Sequence, residues 1–180
     1  YAFYTYNKDN QREVKKVDGQ SIKRVDSFGV YAYKYSDDRG ETWSAERHEI
    51  PMRLFECDRN NTYGGNVQFF WGVGKPFIHK GAVYVCASKV GGFGKGFFEQ
   101  NEGVLFCSRN LLTEHDPAKH EWETLPDGDI GMRTPDGGGP VAGEFNATAM
   151  NDGSLFGTYR TIDGFSCHAY SRDDGHTWEQ

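Results

Sequence analysis

Short segments in which apolar and polar residues alternate recur along the chain, and this two-residue period predicts strands. The clearest are residues 1–7, 29–35 and 165–170, each of which is rich in aromatic side chains. Further strands are predicted at residues 75–79, 83–88, 103–107, 145–150 and 155–160, around Trp122, and from Trp178 onward. The polar and charged residues 8–27 are predicted to form a loop. The pattern therefore indicates an all-β fold of short strands joined by turns.

Two octapeptides, residues 36–43 and 171–178, share the pattern S-x-D-x-G-x-T-W. The repeated positions are Ser36, Asp38, Gly40, Thr42 and Trp43 in the first, and Ser171, Asp173, Gly175, Thr177 and Trp178 in the second. Each follows one predicted strand and leads into another, so we expect both to form hairpin corners. Asp accepts bonds from nearby backbone N–H groups, Gly adopts a positive φ, and Trp has a large ring to bury. Catalysis or calcium binding is the alternative, but a catalytic group is needed only once, so repetition favours a structural role.

The octapeptides resemble the Asp-box, or bacterial neuraminidase repeat, of the sialidase superfamily. The resemblance implies a β-propeller whose four-stranded antiparallel blades carry the box between their third and fourth strands. The chain would then be one partial propeller domain, residues 1–180, with about three blades of a six- or seven-bladed ring. Residues 1–46 would be the remainder of one blade, 75–126 a second and 144–180 a third. The box is not specific for function, because non-enzymatic propellers resemble it too.

The composition is that of a folded protein, with 15% aromatic residues and 23 glycines among 180 residues. A formal net charge of -6 gives no reason to expect nucleic acid as a partner. No apolar run approaches the roughly 18 residues of a membrane-spanning helix, so no membrane span is expected in this segment. The chain begins at Tyr1 inside a predicted strand, so we expect a fragment that is poorly soluble alone because of its open sheet edges. An extracellular or periplasmic location is favoured for the whole protein.

We expect neither a metal nor any other cofactor. Cys57, Cys86, Cys107 and Cys167 are widely spaced and form no C-x-x-C pair, so a zinc site is not expected. Buried free thiols are predicted, with a disulfide between Cys86 and Cys107 as the alternative.

Two other segments have a chemical alternative. The glycine-rich residues 91–96 are similar to a phosphate-binding loop, but no helix is predicted after them and the Gly-Lys-Ser/Thr ending is missing. We therefore predict a loop between strands over residues 91–102. His115, Asp116 and His120 could be metal ligands, but they lie in an insertion within a degenerate third box, so solvated loop residues are expected.

Successive antiparallel strands place their turns at alternate ends of a sheet. The octapeptides and the Lys80-Gly81 and Asp152-Gly153 turns therefore share one end. The long charged connections reach the other end, and function collects on loops that a rigid scaffold holds. Arg53, Asp58 and Arg133 lie in those connections and are candidate substrate contacts.

Glu144 lies eight residues before Asp152, and Arg160 lies eight residues after it. In a hairpin centred on Asp152 the two side chains are opposite each other and can meet across the strands. They would lie at the end away from the octapeptides. On this geometry alone, a cross-strand salt bridge and a functional pair are equally open.

Sialidases show the same spacing of a Glu, an Asp-Gly turn and an Arg. The resemblance implies that Glu144 is the base partner of a nucleophilic Tyr, and that Arg160 is one of three arginines that bind the sugar carboxylate. The Tyr and the third Arg would lie beyond Gln180. The family's first Arg motif is absent here, and Asp58 is a candidate for the acid/base Asp by position only.

Three functions follow from these observations. The first is a sialidase-like exo-glycosidase that removes a terminal acidic sugar from glycans. The second is a propeller polysaccharide lyase acting on uronate-containing glycans, in which Arg160 would neutralise the uronate and a His or Tyr would move the proton. Glu144 favours the hydrolase, because His or Tyr would be expected there in a lyase. The third is a non-catalytic propeller that binds glycan or protein and needs no Glu144–Arg160 pair.

Overall fold

A computed structural model of the chain describes residues 1–23, 25, 28–93 and 98–180. The regular structure in these residues is mostly β-strand. The helical segments among them are one turn of α-helix, α1 (Glu56–Arg59), and one 3₁₀ turn (Pro117–Lys119). The prediction of an all-β fold is therefore confirmed. In the part of the chain described, no helix combines the length and the apolar character that crossing a membrane requires.

Within the described residues, thirteen strands form three antiparallel sheets and one separate hairpin. In chain order they are β1 (Ala2–Tyr6), β2 (Val14–Lys15), β3 (Ser21–Ile22), β4 (Val30–Lys34), β5 (His48–Glu49), β6 (Phe69–Trp71), β7 (Phe77–His79), β8 (Ala82–Phe93), β9 (Phe98–Ser108), β10 (Glu123–Leu125), β11 (Gly143–Ala149), β12 (Leu155–Arg160) and β13 (Cys167–Ser171).

The first sheet has the order β1-β4-β5, with Phe3 opposite Tyr33. Its last strand lies at 48–49, so the sheet extends beyond the predicted boundary at residue 46. The short hairpin of β2 and β3 lies within residues 8–27, where only a loop was predicted. The alternation there is too short and too polar to have indicated strands.

The middle sheet is built around β8, which pairs with β9 on one side and with both β6 and β7 on the other. Trp71 of β6 lies opposite Ser88, and Phe77 of β7 lies opposite Tyr84, so the two short strands follow one another along β8. β10 closes the outer edge by pairing with β9. This sheet begins at β6, before the predicted boundary at residue 75.

The two central strands are longer than predicted, at 12 residues for β8 and 11 for β9. The prediction of a loop is therefore wrong for residues 91–93 and 98–102, and residues 94–97 lie outside the described part of the chain. Every residue of β8 is buried, including Lys89. A strand covered on both faces loses the alternation that marks a half-exposed strand, which explains why its full length was missed.

The third sheet has the order β11-β12-β13, and an isolated bridge between Tyr170 and Glu179 adds the start of a fourth strand. The Asn151-Asp152-Gly153 turn joins β11 to β12 as predicted, and Gly153 has a φ of 84°.

The middle sheet is covered by the other two. On β8, Tyr84 and Cys86 pack into a cluster with Phe145 of the third sheet. Their neighbours Val83 and Val85 pack into a second cluster with residues of the first sheet, including Tyr31 and Tyr33. The period of two along β8 therefore directs alternate side chains into two different cores.

All four cysteines are free thiols, and three of them are buried. Cys86 lies opposite Leu105 and Cys107 lies opposite Tyr84, so the two sulfurs are on neighbouring strands without forming a disulfide. The prediction of free thiols is confirmed, and the alternative Cys86–Cys107 disulfide is not formed. Burial raises the pKa of Cys86 to about 12, which keeps this thiol protonated and unreactive at neutral pH.

Candidate functional site

The two octapeptides, which we call the first box (36–43) and the second box (171–178), form the same set of hydrogen bonds. In the first, Ser36 Oγ donates to Asp38 Oδ1 at 2.7 Å and accepts from the Gly40 N–H at 2.7 Å. The Thr42 N–H donates to Asp38 Oδ1 at 2.8 Å, and the Thr42 hydroxyl donates to Oδ2. Both carboxylate oxygens therefore hold the corner together.

The second box repeats this arrangement at Asp173, with Ser171 Oγ at 2.8 Å and the Thr177 N–H at 2.9 Å. The hydrogen bonds from Thr42, and then the one from Ser36, lower the pKa of Asp38 to about 2. A carboxylate held ionised and fully engaged within its own turn is a structural element, which supports the structural interpretation of the repeat.

The second box lies against the β7–β8 turn of the middle sheet. His79 Nε2 is 3.0 Å from Asp174 Oδ1, and Lys80 Nζ is 2.6 Å from the same oxygen. The second box and the Lys80-Gly81 turn therefore share one end of the sheets. The first box lies at this end too, because Tyr35 beside it packs against Tyr1, whose hydroxyl donates to the carbonyl oxygen of Leu111 just after β9. We call the opposite end the distal end. There β8 and β12 end, at Phe93 and Arg160, and β11 begins, at Gly143.

Glu144 and Arg160 meet at the distal end of the third sheet. Arg160 donates from a terminal guanidinium nitrogen to Glu144 Oε1 at 3.2 Å. The side chains are 50% and 38% exposed, so a ligand can reach both. The predicted contact across the hairpin is present, whereas the catalytic roles of these residues stay predictions.

A bulge, which the sequence did not indicate, holds Glu144 in place. Arg160 pairs with Gly143, and the register shifts between Gly143 and Asn146. Glu144 has a φ of 55°, in the left-handed region that costs a non-glycine residue about 1–2 kcal/mol. Bulges of this kind re-aim a side chain, and they are frequent next to active sites.

Arg53 and Asp58 do not lie beside that pair. Arg53 donates to the carbonyl oxygen of Thr124 at 2.9 Å and lies over the ring of Phe55. Asp58 is 1% exposed, accepts a bond from the Phe55 N–H at 2.8 Å and forms an ion pair with Lys89. Asp58, a candidate substrate contact and acid/base residue by position, is thus buried, with its Oδ2 shared between the Phe55 N–H and Lys89. Either role for Asp58 stays a prediction, and this burial does not favour it.

Lys89 and Glu102 are buried charges that sequence analysis did not single out. They lie opposite each other on β8 and β9 and are 0% and 1% exposed. Burial lowers the pKa of Lys89, and the nearby carboxylate of Asp58 opposes that shift. Charged residues inside an apolar strand are a sequence signal that could have revealed this cluster, because buried charges require partners.

Arg133 joins this buried cluster to the surface of the distal end. Its Nε donates to Glu102 Oε1 at 2.7 Å, and a terminal nitrogen lies 3.4 Å from Glu56 Oε2. The side chain is 44% exposed and lines a cavity of about 330 Å³ together with Asn101 and Glu102. Arg133 is thus placed where a ligand could reach it.

The cavity adjoins the bulge that carries Glu144. A Cβ added to Gly143 would lie 2.9 Å from Asn101 Nδ2, so the Asn101 side chain contacts the backbone immediately before Glu144. The distal end therefore presents two neighbouring features, the Glu144–Arg160 pair and the cavity at Asn101.

His115, Asp116 and His120 do not gather around a common point. Asp116 caps the 3₁₀ turn by accepting from the Ala118 N–H, and His120 bonds to the Tyr33 hydroxyl. Among the described residues no cluster of three or more His, Cys, Asp or Glu is placed to hold a metal ion.

Comparison with known proteins finds a family model that matches the first box and solved structures that are similar to the chain. The family model for the BNR/Asp-box repeat matches residues 34–45, which confirms the Asp-box recognised in the sequence. No curated protein matches the chain.

Solved structures with a similar fold include a protein of unknown function from Dyadobacter fermentans. It is 14% identical, with a TM-score of 0.56, over 99% of this chain and 44% of its own length. The chain also matches the sialidase of Trypanosoma rangeli, with 16% identity and a TM-score of 0.45, over 97% of this chain and 33% of that structure. The chain thus spans less than half the length of these structures.

Proposed function

We propose that the three sheets are blades of a β-propeller and that the protein is a sialidase-like exo-glycosidase, which removes a terminal acidic sugar from glycans. The Asp-box match and the antiparallel sheets support the propeller. The main support for the proposed activity is the contact between Glu144 and Arg160 at the distal end, away from the boxes.

In this proposal Arg160 binds the carboxylate of the sugar. A guanidinium is planar, stays charged and can donate two parallel hydrogen bonds to a carboxylate. Its present contact with Glu144 is a partly exposed ion pair, and such pairs contribute only about 0–1 kcal/mol. A substrate carboxylate can therefore displace Glu144 from Arg160 at little cost.

Glu144 would accept the proton of a tyrosine nucleophile. Tyrosine has a pKa near 10 and needs a neighbouring base to attack at neutral pH. Because the bulge fixes the backbone of Glu144, its carboxylate is held close to the group that binds the substrate. The tyrosine itself is not assigned.

A lyase acting on uronate-containing glycans is the second candidate, because Arg160 could neutralise a uronate equally well. Position 144 holds Glu rather than the Tyr or His that a proton-abstracting lyase would use, and this favours the hydrolase. A propeller that only binds its ligand would need neither side chain.

The test uses the full-length gene product with a chromogenic sialoside and, separately, a uronate polysaccharide. We expect the wild type to release the chromophore, and Glu144→Gln to reduce kcat by about 10²–10⁴-fold, the usual contribution of a general base. Unsaturated product from the polysaccharide would indicate the lyase, and binding without turnover would indicate the third function.

A matched control is the exposed ion pair between Arg172 and Glu179, whose closest atoms are 3.9 Å apart. Glu179→Gln removes the same charge at the box end of the same sheet and should leave kcat within twofold. Equal losses in Glu144→Gln and Glu179→Gln would contradict a catalytic role for Glu144.

A further inference from the structure

β11, which carries Glu144 near its start, has β12 as its one partner strand among the described residues. Its other edge is bonded to side chains of β8 in the middle sheet. The Phe145 N–H donates to Ser88 Oγ at 3.3 Å, and the Ala147 N–H donates to Cys86 Sγ at 3.2 Å. Two side chains of the middle sheet therefore take the place of a neighbouring strand for β11.

Ser88 and Cys86 are suited to this role by their place in β8. Two residues separated by one position along a strand point to the same face of the sheet. Both residues are 0% exposed, and Phe145 is 1% exposed. A backbone N–H buried away from water requires a hydrogen-bond partner within the protein. The two side chains thus satisfy donors that would otherwise be left unpaired.

The ring of Phe145 holds the same residue from its side-chain direction. A Cβ added to Gly103 of β9 would lie 2.7 Å from Phe145 Cγ, and one added to Gly157 of β12 would lie 2.9 Å from Phe145 Cε2. Trp178 packs edge-on against this ring. Because the ring fits against two glycines and the N–H is bonded to Ser88, the residue that follows Glu144 is fixed.

Glu144 itself requires support from outside its hairpin. Its φ of 55° is unfavourable for a residue other than glycine, and such a conformation persists where surrounding contacts fix it. The Phe145 N–H belongs to the peptide group that directly follows the Cα of Glu144, so its hydrogen bond to Ser88 restricts the ψ angle of Glu144. On the other side of Glu144, Gly143 pairs with Arg160.

We propose that Ser88 is a positioning residue, which holds the backbone of Glu144 so that its carboxylate stays beside Arg160. The catalytic meaning of this inference rests on the proposed function, in which Glu144 is the general base. The middle sheet then sets the position of a base that belongs to the third sheet. Cys86 makes the same kind of hydrogen bond two peptide groups farther along β11, so it serves packing alone.

The kinetic test compares Ser88→Ala with Cys86→Ala in the full-length protein, with a chromogenic sialoside as substrate. Each variant removes one β8 acceptor of a β11 N–H, so both should lower Tm by similar amounts. Ser88→Ala should lower kcat about tenfold, because a misplacement of about 1 Å can cost up to about 10²-fold. KM should stay nearly unchanged, since Arg160 is not altered. Cys86→Ala should leave both constants nearly unchanged.

Ser88→Cys is the conservative variant that tests for rescue. A sulfur at position 88 can accept a hydrogen bond from the Phe145 N–H, as Cys86 Sγ does from the Ala147 N–H. We therefore expect it to recover most of the kcat that Ser88→Ala loses. Equal losses of kcat in Ser88→Ala and Cys86→Ala, or a loss that Ser88→Cys does not recover, would overturn the proposal.

Gly103→Ala disturbs the same residue with Ser88 intact, and it replaces Ser88→Ala if that variant does not fold. Its methyl group would be forced against the Phe145 side chain, so kcat should again fall while KM changes little. An unchanged kcat in folded Gly103→Ala would contradict the idea that the place of Phe145 determines that of Glu144.

Amide hydrogen exchange tests the contact without turnover. Exchange at Phe145, measured at residue resolution by mass spectrometry, should be about tenfold faster in Ser88→Ala and unchanged in Cys86→Ala, where Ala147 should respond instead. Unchanged exchange at Phe145 in Ser88→Ala would overturn the proposal whether or not the protein is active. If the wild type hydrolyses no sialoside but Phe145 responds as expected, the proposed function fails and the support of Glu144 by Ser88 stands.

Discussion

The two boxes have the same internal geometry but very different surroundings. Asp38 and Asp173 accept the same three hydrogen bonds, with distances that agree within 0.1 Å. Trp43 is nevertheless 45% exposed, whereas Trp178 packs edge-on against Phe145 with ring centroids 5.5 Å apart. The corner is a local structure that forms wherever its sequence occurs, and its contribution to tertiary stability depends on what lies next to it.

The glycines show the same contrast. Gly40 is exposed, and a Cβ there would meet only its own Trp43, at 3.8 Å. Gly175 is buried, and a Cβ there would lie 3.1 Å from Leu105 and 3.3 Å from Leu125 of the middle sheet. The second box therefore serves as part of the packing between two sheets.

The largest expected difference between the boxes is at tryptophan. Trp178→Ala should lower the free energy of unfolding by about 3 kcal/mol, because a large ring is removed from the contact between sheets. Trp43→Ala should lower it by less than about 1 kcal/mol, as for other exposed positions. Urea unfolding of the full-length protein measures both free energies. Losses of the same size would contradict the conclusion that only the second box contributes to packing between sheets.

Substitution of the glycines should give a smaller difference. Both have a strongly positive φ, 94° at Gly40 and 99° at Gly175, so alanine costs each about 1–2 kcal/mol. Gly175→Ala should cost about 1–3 kcal/mol more, because its methyl group is forced against Leu105. A double-mutant comparison with Leu105→Ala provides the control, since the smaller neighbour should relieve only the Gly175 variant.

Asp38 and Asp173 should contribute equally to the pH dependence of stability, in contrast to the tryptophans and glycines of the two boxes. The folded pKa of Asp38 is about 2, below the ordinary value of 3.8 for an aspartate, so its contribution to stability is complete at neutral pH and is lost as the pH falls. The pKa of Asp173 is lowered too, by bonds from Thr177 that outweigh partial burial. Asp38→Asn and Asp173→Asn should each reduce the decline in stability between about pH 4 and pH 2. A clearly larger change in one variant would mean that the two corners are not equivalent.

The smallest expected effect concerns the ion pair between Lys80 and Asp174, which has no counterpart at the first box within the described residues. Lys80 is 55% exposed where it contacts Asp174, so Lys80→Ala should change the free energy of unfolding by less than about 0.5 kcal/mol. Lys34→Ala, on the strand that leads to the first box, is the matched control. A loss above 1 kcal/mol for Lys80→Ala alone would assign this exposed ion pair a stabilising role.

Sequence reasoning worked where residues close in the chain determine the structure. It identified the boxes, the Asp152-Gly153 hairpin and the contact between Glu144 and Arg160, all of which depend on turns of a few residues. It missed the bulge at Glu144, because the hairpin alone does not specify an extra residue in one strand. It also missed the burial of Asp58, which depends on Lys89 from a different part of the chain.

The sequence by itself determined the corners and the pairing across the last hairpin, because their hydrogen bonds join groups within a turn or across one pair of strands. Only the tertiary structure decided that Trp178 is packed while Trp43 is exposed, and that Lys89 and Glu102 are buried. It also buried the Asn101 side-chain amide, which has no hydrogen-bond partner among the described residues. Burial depends on surfaces contributed by distant segments, and an amphipathic pattern shows that a face will be covered without showing what covers it.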